Sequence, residues 1–507
     1  MDFPMLSVLI LVPVLAALVV MVLPADRTEL HLPVALVLSL LPVGLAGILF
    51  ARFESAAGFQ FVEQAALIER WGISWHLGID GIALPLILLT TILIPISIAA
   101  STSIAKSPQL FLAMVLLLEA GLIGVFSALD LIVFFVFFEA ILIPMYFIIG
   151  IWGSENRIYA AIKFFLYTAF GSALMLAGII ALSVLQQQKT GFASFDYSDL
   201  LTLELTPGTQ AWLFAVFGIA FAIKVPMFPV HTWLPDAHVQ APTAGSVLLA
   251  GVMLKLGTYG FLRFNLPLFP DAAVKYAPVV ATLAVIGIVY GAAVAIVQTD
   301  LKKLVAYSSV SHLGFIMLGI VAFTQSGLDG GVIQMVNHGI TTGALFLLVG
   351  MLYERRHTKL IADFGGLQKT MPVFAGVFLF STFASIGLPG LNGFVGEFLV
   401  LVGSYATRPA FAIIATAGVV LAAIYLLWAY ERVFTGEPDK PENVNVADLN
   451  LRETLIFVPL IILILTLGLY PKVLLDRIEP STAAIIDRIE ATTDFVEPTF
   501  VIGEPGE

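Results

Sequence analysis

The segment Phe134-Phe135-Val136-Phe137-Phe138-Glu139-Ala140-Ile141-Leu142-Ile143-Pro144 sets one carboxylate inside an apolar run that extends over residues 131–151. About 20 apolar residues rising 1.5 Å each cover a hydrocarbon core about 30 Å thick, so the run reads as a membrane-crossing helix. Glu139 lies about 13 Å along that helix from the charged boundary at Asp130. A charge at such depth costs roughly 2.5 to 3.5 kcal/mol on insertion scales, so the side chain is expected to face the bundle interior and to have a partner. Packing gives no reason for a carboxylate here. Transport does, and the structural alternative is an ion pair that only fixes helix register.

The rest of the chain repeats the pattern. Of 507 residues, 59% are hydrophobic and 12% charged, against about 25% charged in soluble domains. Apolar windows fall near residues 4–23, 32–51, 81–101, 109–128, 131–151, 162–186, 209–225, 244–266, 277–298, 303–324, 329–352, 372–403, 411–430 and 453–471. The expectation is an all-α polytopic membrane protein of about fourteen transmembrane helices, in one membrane domain over 1–507. A β-barrel is excluded, because its strands are shorter and alternate. The loops 52–80, 187–208, 353–371 and 431–452 are too short or too mixed to fold alone. Met1 to Leu23 lacks the basic start of a secretory signal and reads as a retained first helix.

Much of the net charge of −11 comes from a polar tail over 472–507, with Asp476, Glu479, Asp487, Glu490, Asp494, Glu497, Glu504 and Glu507. Placing both termini outside puts the larger share of the 24 Lys and Arg in inner loops, as topology in membranes favours. The chain has no cysteine, which rules out disulfides, thiolate metal sites and Cys-ligated iron–sulfur clusters within it. Any redox chemistry belongs to other polypeptides. Lipid is the expected surroundings, and nothing points to nucleic acid.

Two spans carry helix breakers, which lipid tolerates only where freed backbone groups meet protein or water. The first is Ala222-Ile223-Lys224-Val225-Pro226-Met227-Phe228-Pro229, and the second is Gly387-Leu388-Pro389-Gly390-Leu391-Asn392-Gly393, followed by Glu397. Interrupted helices at matching places in two halves trace an inverted-repeat transporter. Two five-helix repeats, over 109–266 and 277–430, fit the spacing.

Lys224 and Lys255 are the lysines inside spans and the candidate partners of Glu139. A lysine works as a proton carrier only if burial loosens its hold on the proton, and an approaching carboxylate can restore that hold. The expected mechanism is a charge-pair switch between Glu139 and Lys224. His312 and His338 extend the line, since neutral imidazole accepts at one nitrogen and donates at the other. Either could equally be a satisfied core histidine. Glu397 is the candidate terminal acid, or else a helix-start residue favoured by the dipole. Glu119 reads as a local pairing residue. In the polar loop His231-Thr232-Trp233-Leu234-Pro235-Asp236-Ala237-His238-Val239-Gln240-Ala241-Pro242, His231, Asp236 and His238 form a candidate proton entrance on the inner side, or a cap on two helices. No two histidines share an i, i+4 spacing, so no metal site is expected. No polar cluster is large enough for a solute carrier's pocket.

At His231 to Ser246, Gln298 to Phe315 and Gly387 to Phe398 the chain resembles, over nearly its whole length, the M-type antiporter-like subunits of bacterial respiratory complex I. The motifs are long and specific. The resemblance implies fourteen helices, two inverted five-helix repeats and proton-translocating roles for Glu139, Lys224, Lys255, His312, His338 and Glu397. It implies neighbouring L-type and N-type antiporter-like subunits in a bacterial plasma membrane. It also implies NADH oxidation and quinone reduction on partner subunits, which would hold the FMN and iron–sulfur clusters, with no cofactor on this chain. Related L-type, N-type and Mrp D-type chains typically carry lysine at the position of Glu397, so glutamate favours the M type. The alternatives are a subunit of an Mrp sodium/proton antiporter or of a membrane-bound hydrogenase, and a structural membrane scaffold.

Overall fold

The computed structural model describes residues 3–498; Glu504 and Glu507 lie outside them. The chain runs α1 (Met5–Val22), α2 (Thr28–Arg52), β1 (Gln60–Ile68), β2 (Ile73–Ile79), α3 (Ala83–Ala99), α4 (Pro108–Ser127), α5 (Leu131–Ala140), α6 (Leu142–Trp152) and α7 (Arg157–Thr190). After the short α8 (Tyr197–Leu201) come α9 (Pro207–Lys224), α10 (Trp233–Gln240), α11 (Thr243–Leu268), α12 (Pro270–Ile296), α13 (Leu301–Ile320) and α14 (Gln325–Arg356). The last long elements are α15 (Pro372–Ser385), α16 (Asn392–Thr407), α17 (Pro409–Phe434), α18 (Leu451–Leu469) and α19 (Lys472–Thr492). Eleven segments among the described residues are long and apolar enough to cross a membrane, α5 and α6 together counting as one; α3 and α15 are shorter apolar helices. Every apolar window read from the sequence falls on a helix.

Local chemistry sets the boundaries. Proline opens α4, α9, α12, α15 and α17, where its missing N–H costs nothing. Asp130 caps α5 by accepting from the Ile132 and Val133 amides. Pro144 cannot donate to the Ala140 carbonyl, and α5 ends at Ala140. Pro226 likewise cannot donate to Ala222, whose carbonyl takes the Met227 amide at 2.9 Å instead, one residue further on. That wide turn ends α9 at Lys224. The second break needs positive φ at Gly387 (+75°) and Gly390 (+91°), and it separates α15 from α16, so the single window 372–403 is two helices.

The all-α membrane architecture is as expected, with one addition and one correction. The loop 52–80 contains an antiparallel hairpin with Gln60 opposite Ile79. Its Glu63 accepts from the Leu6 amide at 2.6 Å, closing the start of α1. The region after 472 is not merely a polar tail. It forms the amphipathic α19, which buries Leu474, Ile478, Ile485, Ile486 and Ile489. Thr482 donates to Asp329 at the start of α14 (2.5 Å), and Arg488 donates to the Pro267 and Leu201 carbonyls, each at 2.6 Å. Hairpin, α8 and α19 therefore pack over one end of the bundle. There Arg263 pairs with Asp80 at 2.6 Å, both almost wholly buried, while Asp80 also caps α3.

The helices differ in how far they are shielded from lipid. The spanning windows of α11 and α14 are 100% buried and that of α13 is 89% buried, against 28% for α2 and 33% for α17. Polar side chains on α11, α13 and α14 are thus surrounded by protein. Close approach depends on small residues: a Cβ on Gly330 of α14 would sit 2.7 Å from the Val400 amide of α16. This contact holds the helix of His338 against that of Glu397.

Candidate proton-translocation site

Four of the six expected carriers form one contact chain. Lys255 stands two residues after the end of a π-helical turn, Leu249–Met253 within α11, a widened geometry that recurs at functional sites. Its Nζ donates to the Ala250 carbonyl at 2.5 Å and contacts Nδ1 of His338 at 2.8 Å. With Lys255 charged, Nδ1 of His338 must accept, which leaves the ring proton on Nε2. The His338 and His312 ring centroids are 5.8 Å apart. Nδ1 of His312 then lies 2.9 Å from Oε1 of Glu397, and its Nε2 is 3.4 Å from the Ser385 hydroxyl. Glu397 also accepts from Gln334 Nε2 at 3.3 Å. Gln334 is in turn braced by Asn337, which donates to the Asn392 carbonyl at 2.7 Å. All of these groups are buried. The row spans α11, α14, α13 and the second half of the broken helix.

Glu139 and Lys224 stand apart. No ion pair joins them among the described residues, so the expected salt bridge is not formed, although each acts on the other's charge. Lys224 is 1% exposed and its Nζ has no hydrogen-bond partner among the described residues. It sits 4.7 Å from the centre of the Phe138 ring, a cation–π contact. Glu139 is half-buried beside Val136 and Ile143, which are exposed on the outer surface of α5 and α6, and Ser172 of α7 is its polar neighbour. Near Lys224 the helices of the two lysines pack closely: a Cβ on Gly257 would lie 2.5 Å from the Phe221 carbonyl oxygen and 2.6 Å from the Val225 side chain.

The expected polar loop at 231–242 is instead largely helix α10, and its three candidates separate. Asp236 pairs with Lys163 at 2.7 Å and is partly exposed. His231 packs among Phe228, Tyr290 and Tyr307. His238 is fully buried and stacks on Phe346 with centroids 4.5 Å apart. Glu119 does not pair locally, as both carboxylate oxygens are buried without a partner among the described residues.

Sequence reasoning passed over several buried groups. Lys302 and Arg263, which stand at the edges of apolar windows in the sequence, are only 5% and 4% exposed. Tyr425 is wholly buried next to the charge of Glu397. Gln334 and Asn337 gave a signal that could have been used, since two amides one turn apart next to His338 in an apolar helix require partners.

Comparison with known proteins identifies the family and the fold. The profile described as "NADH:quinone oxidoreductase/Mrp antiporter, TM" matches residues 128–424, and that of "NADH-ubiquinone oxidoreductase chain 4, amino terminus" matches 5–125. NADH-quinone oxidoreductase subunit M of Rhodobacter capsulatus is 47% identical, covering 96% of this chain and 97% of that one. NADH-ubiquinone oxidoreductase chain 4 of Marchantia polymorpha is 44% identical over 95% and 97%. A chain of respiratory complex I from Thermus thermophilus superposes with a TM-score of 0.87 at 33% identity, covering 96% of this chain and 99% of that one. A chain of the Mrp complex from Dietzia sp. DQ12-45-1b shares the fold, with a TM-score of 0.84 at 24% identity, over 96% of this chain and 99% of its own. With two profiles over most of its length, a buried Lys–His–His–Glu row and full-length relatives, this chain belongs to the subunit M (chain 4) family of NADH:quinone oxidoreductase, the antiporter-like membrane subunits of complex I.

Proposed function

We propose that this subunit carries protons across the membrane along Lys255, His338, His312 and Glu397, with Glu139 and Lys224 forming a separate charge-pair switch. The observation that carries the reading is the buried row from Lys255 Nζ to Glu397 Oε1, hydrogen-bonded at each end and joined in the middle by two imidazole rings with centroids 5.8 Å apart. A structural scaffold would not require two histidines in series between a lysine and an acid. Approach of Glu139 to Lys224 favours the ammonium, and separation lets burial expel the proton. Moving one charge against 100 mV requires about 2.3 kcal/mol, which the redox chemistry of other subunits supplies.

The regions 109–266 and 277–430 act as inverted repeats in a fourteen-helix bundle. His231, Asp236 and His238 lie along the approach from the inner side, with both termini outside a bacterial plasma membrane. The neighbours are L-type and N-type antiporter-like subunits, and NADH, FMN, the iron–sulfur clusters and quinone are bound by partner subunits. The Mrp fold match favours one second reading, a subunit of a sodium/proton antiporter. Co-purification of NADH- and iron–sulfur-binding partners decides between them. Lys255→Met in the reconstituted complex tests the row: assembly is expected to persist while proton translocation falls. Wild-type translocation would refute it.

A further inference from the structure

One half-open cavity outside the row brings several charged groups together. This cavity of about 370 Å³ lies where α3, α6 and α10 end and α13 begins, lined by Ser101, Ser154, Gln240, Lys302, Glu354 and Lys359 among others. Lys302 is buried, and its Nζ donates to the Ala241 carbonyl at 2.5 Å; Lys359 donates to the Val239 carbonyl at 2.8 Å. Cations on the last carbonyls of a helix are ordinary caps. His238 is not explained by capping. It is fully buried, neither ring nitrogen has a hydrogen-bond partner among the described residues, and the charges it feels are those of Lys302 and Lys255. Leaving an imidazole buried with both nitrogens unpaired is unfavourable.

We propose that Lys302 is the loading lysine of this subunit, taking a proton from water in the cavity and passing it through His238 to Lys255. The proposal rests on the reading of Lys255 as a carrier. In the first step an O–H bond of hydronium breaks and an N–H bond forms on neutral Lys302. That N–H then breaks as one forms on a ring nitrogen of His238, and the imidazolium releases the proton from its other nitrogen to neutral Lys255. One proton moves, and no bond between heavy atoms changes.

Lys302→Arg tests the step, because arginine keeps the charge and the donor to Ala241 but does not give up its proton. In the whole complex in proteoliposomes, proton transfer through this subunit is expected to fall about tenfold or more with assembly unchanged; His238→Gln should do the same. Wild-type proton translocation by Lys302→Arg alongside loss in Lys255→Met overturns the loading role and leaves the row standing. Wild-type translocation by both overturns the row itself. Should Lys302→Arg fail to assemble, Ser103→Cys at the exposed lip of the cavity decides, since this chain has no cysteine of its own. Slowed pumping after labelling with a bulky cationic thiol reagent, against the labelled parent complex, supports the port, and unchanged pumping refutes it.

Discussion

Nδ1 of His312 lies 2.9 Å from Oε1 of Glu397 while Nε2 of the same ring faces the hydroxyl of Ser385 at 3.4 Å. Ser385 ends α15 and Glu397 lies near the start of α16, so both halves of the interrupted helix converge on one imidazole carried by α13. The break gives the acid a partner that a straight helix would have turned away from it.

Glutamine at 397 keeps the volume and can still accept from His312 but cannot hold a proton. Glu397→Gln is expected to slow proton transfer through this subunit by about 10² or more at an unchanged level of assembled complex. Reconstituted proton translocation beside a native gel measures both. Unimpaired transfer would remove Glu397 from the row.

Because Glu139 and Lys224 do not touch, their coupling in folding should be small, about 0.2–1 kcal/mol in a double-mutant cycle. Their coupling in transport should be large, with Glu139→Gln, Lys224→Met and the double variant all impaired to a similar degree. Additive losses in pumping would argue against a switch.

The buried Arg263–Asp80 pair serves the fold. Removing one partner of such a pair costs about 3–5 kcal/mol, so Arg263→Met should lower the melting temperature and the yield of assembled complex. Turnover per assembled complex should stay near the parent value. A selective loss of pumping would reassign the pair to transport.

At the capping end, burial raises the Asp196 carboxyl, but the hydrogen bond and charge of His76, with backbone N–H groups at Ser198 and Asp199, outweigh it and hold the group below its ordinary value. A depressed acid contributes stability that is complete above its unfolded value, near about 3.9, and is lost as pH falls through the folded one. Pepsin cleavage between the hairpin and α8 should therefore rise only below about pH 4. Asp196→Asn should be cleaved readily already at the upper end of that range and show a weaker acid step.

The breaks and the intramembrane charges were legible because they are local events. A proline removes one donor wherever it stands, and a carboxylate among phenylalanines has no packing role. The pairing was not legible, since Lys255 and His338 are 83 residues apart and His312 and Glu397 are 85 apart; only the packing of α14 on its neighbours joins them. Lys302 looked solvated because it stands two residues from the cap Asp300, yet it points inward under α10. The hairpin was hidden by the mixed pattern of Gln60 to Ile68, and α19 by its many charges, which lie on one face with isoleucines on the other.

The wide turn before Lys255 holds one more residue than an ordinary helix would use to cover the same rise. Shortening the chain by a single position there, for instance at Gly251, would let the helix close up without shifting the phase of either flank. The lysine would keep its place in the bundle and lose the spare carbonyl that tethers it, so its freedom to swing could be separated from its charge by the loss of one glycine.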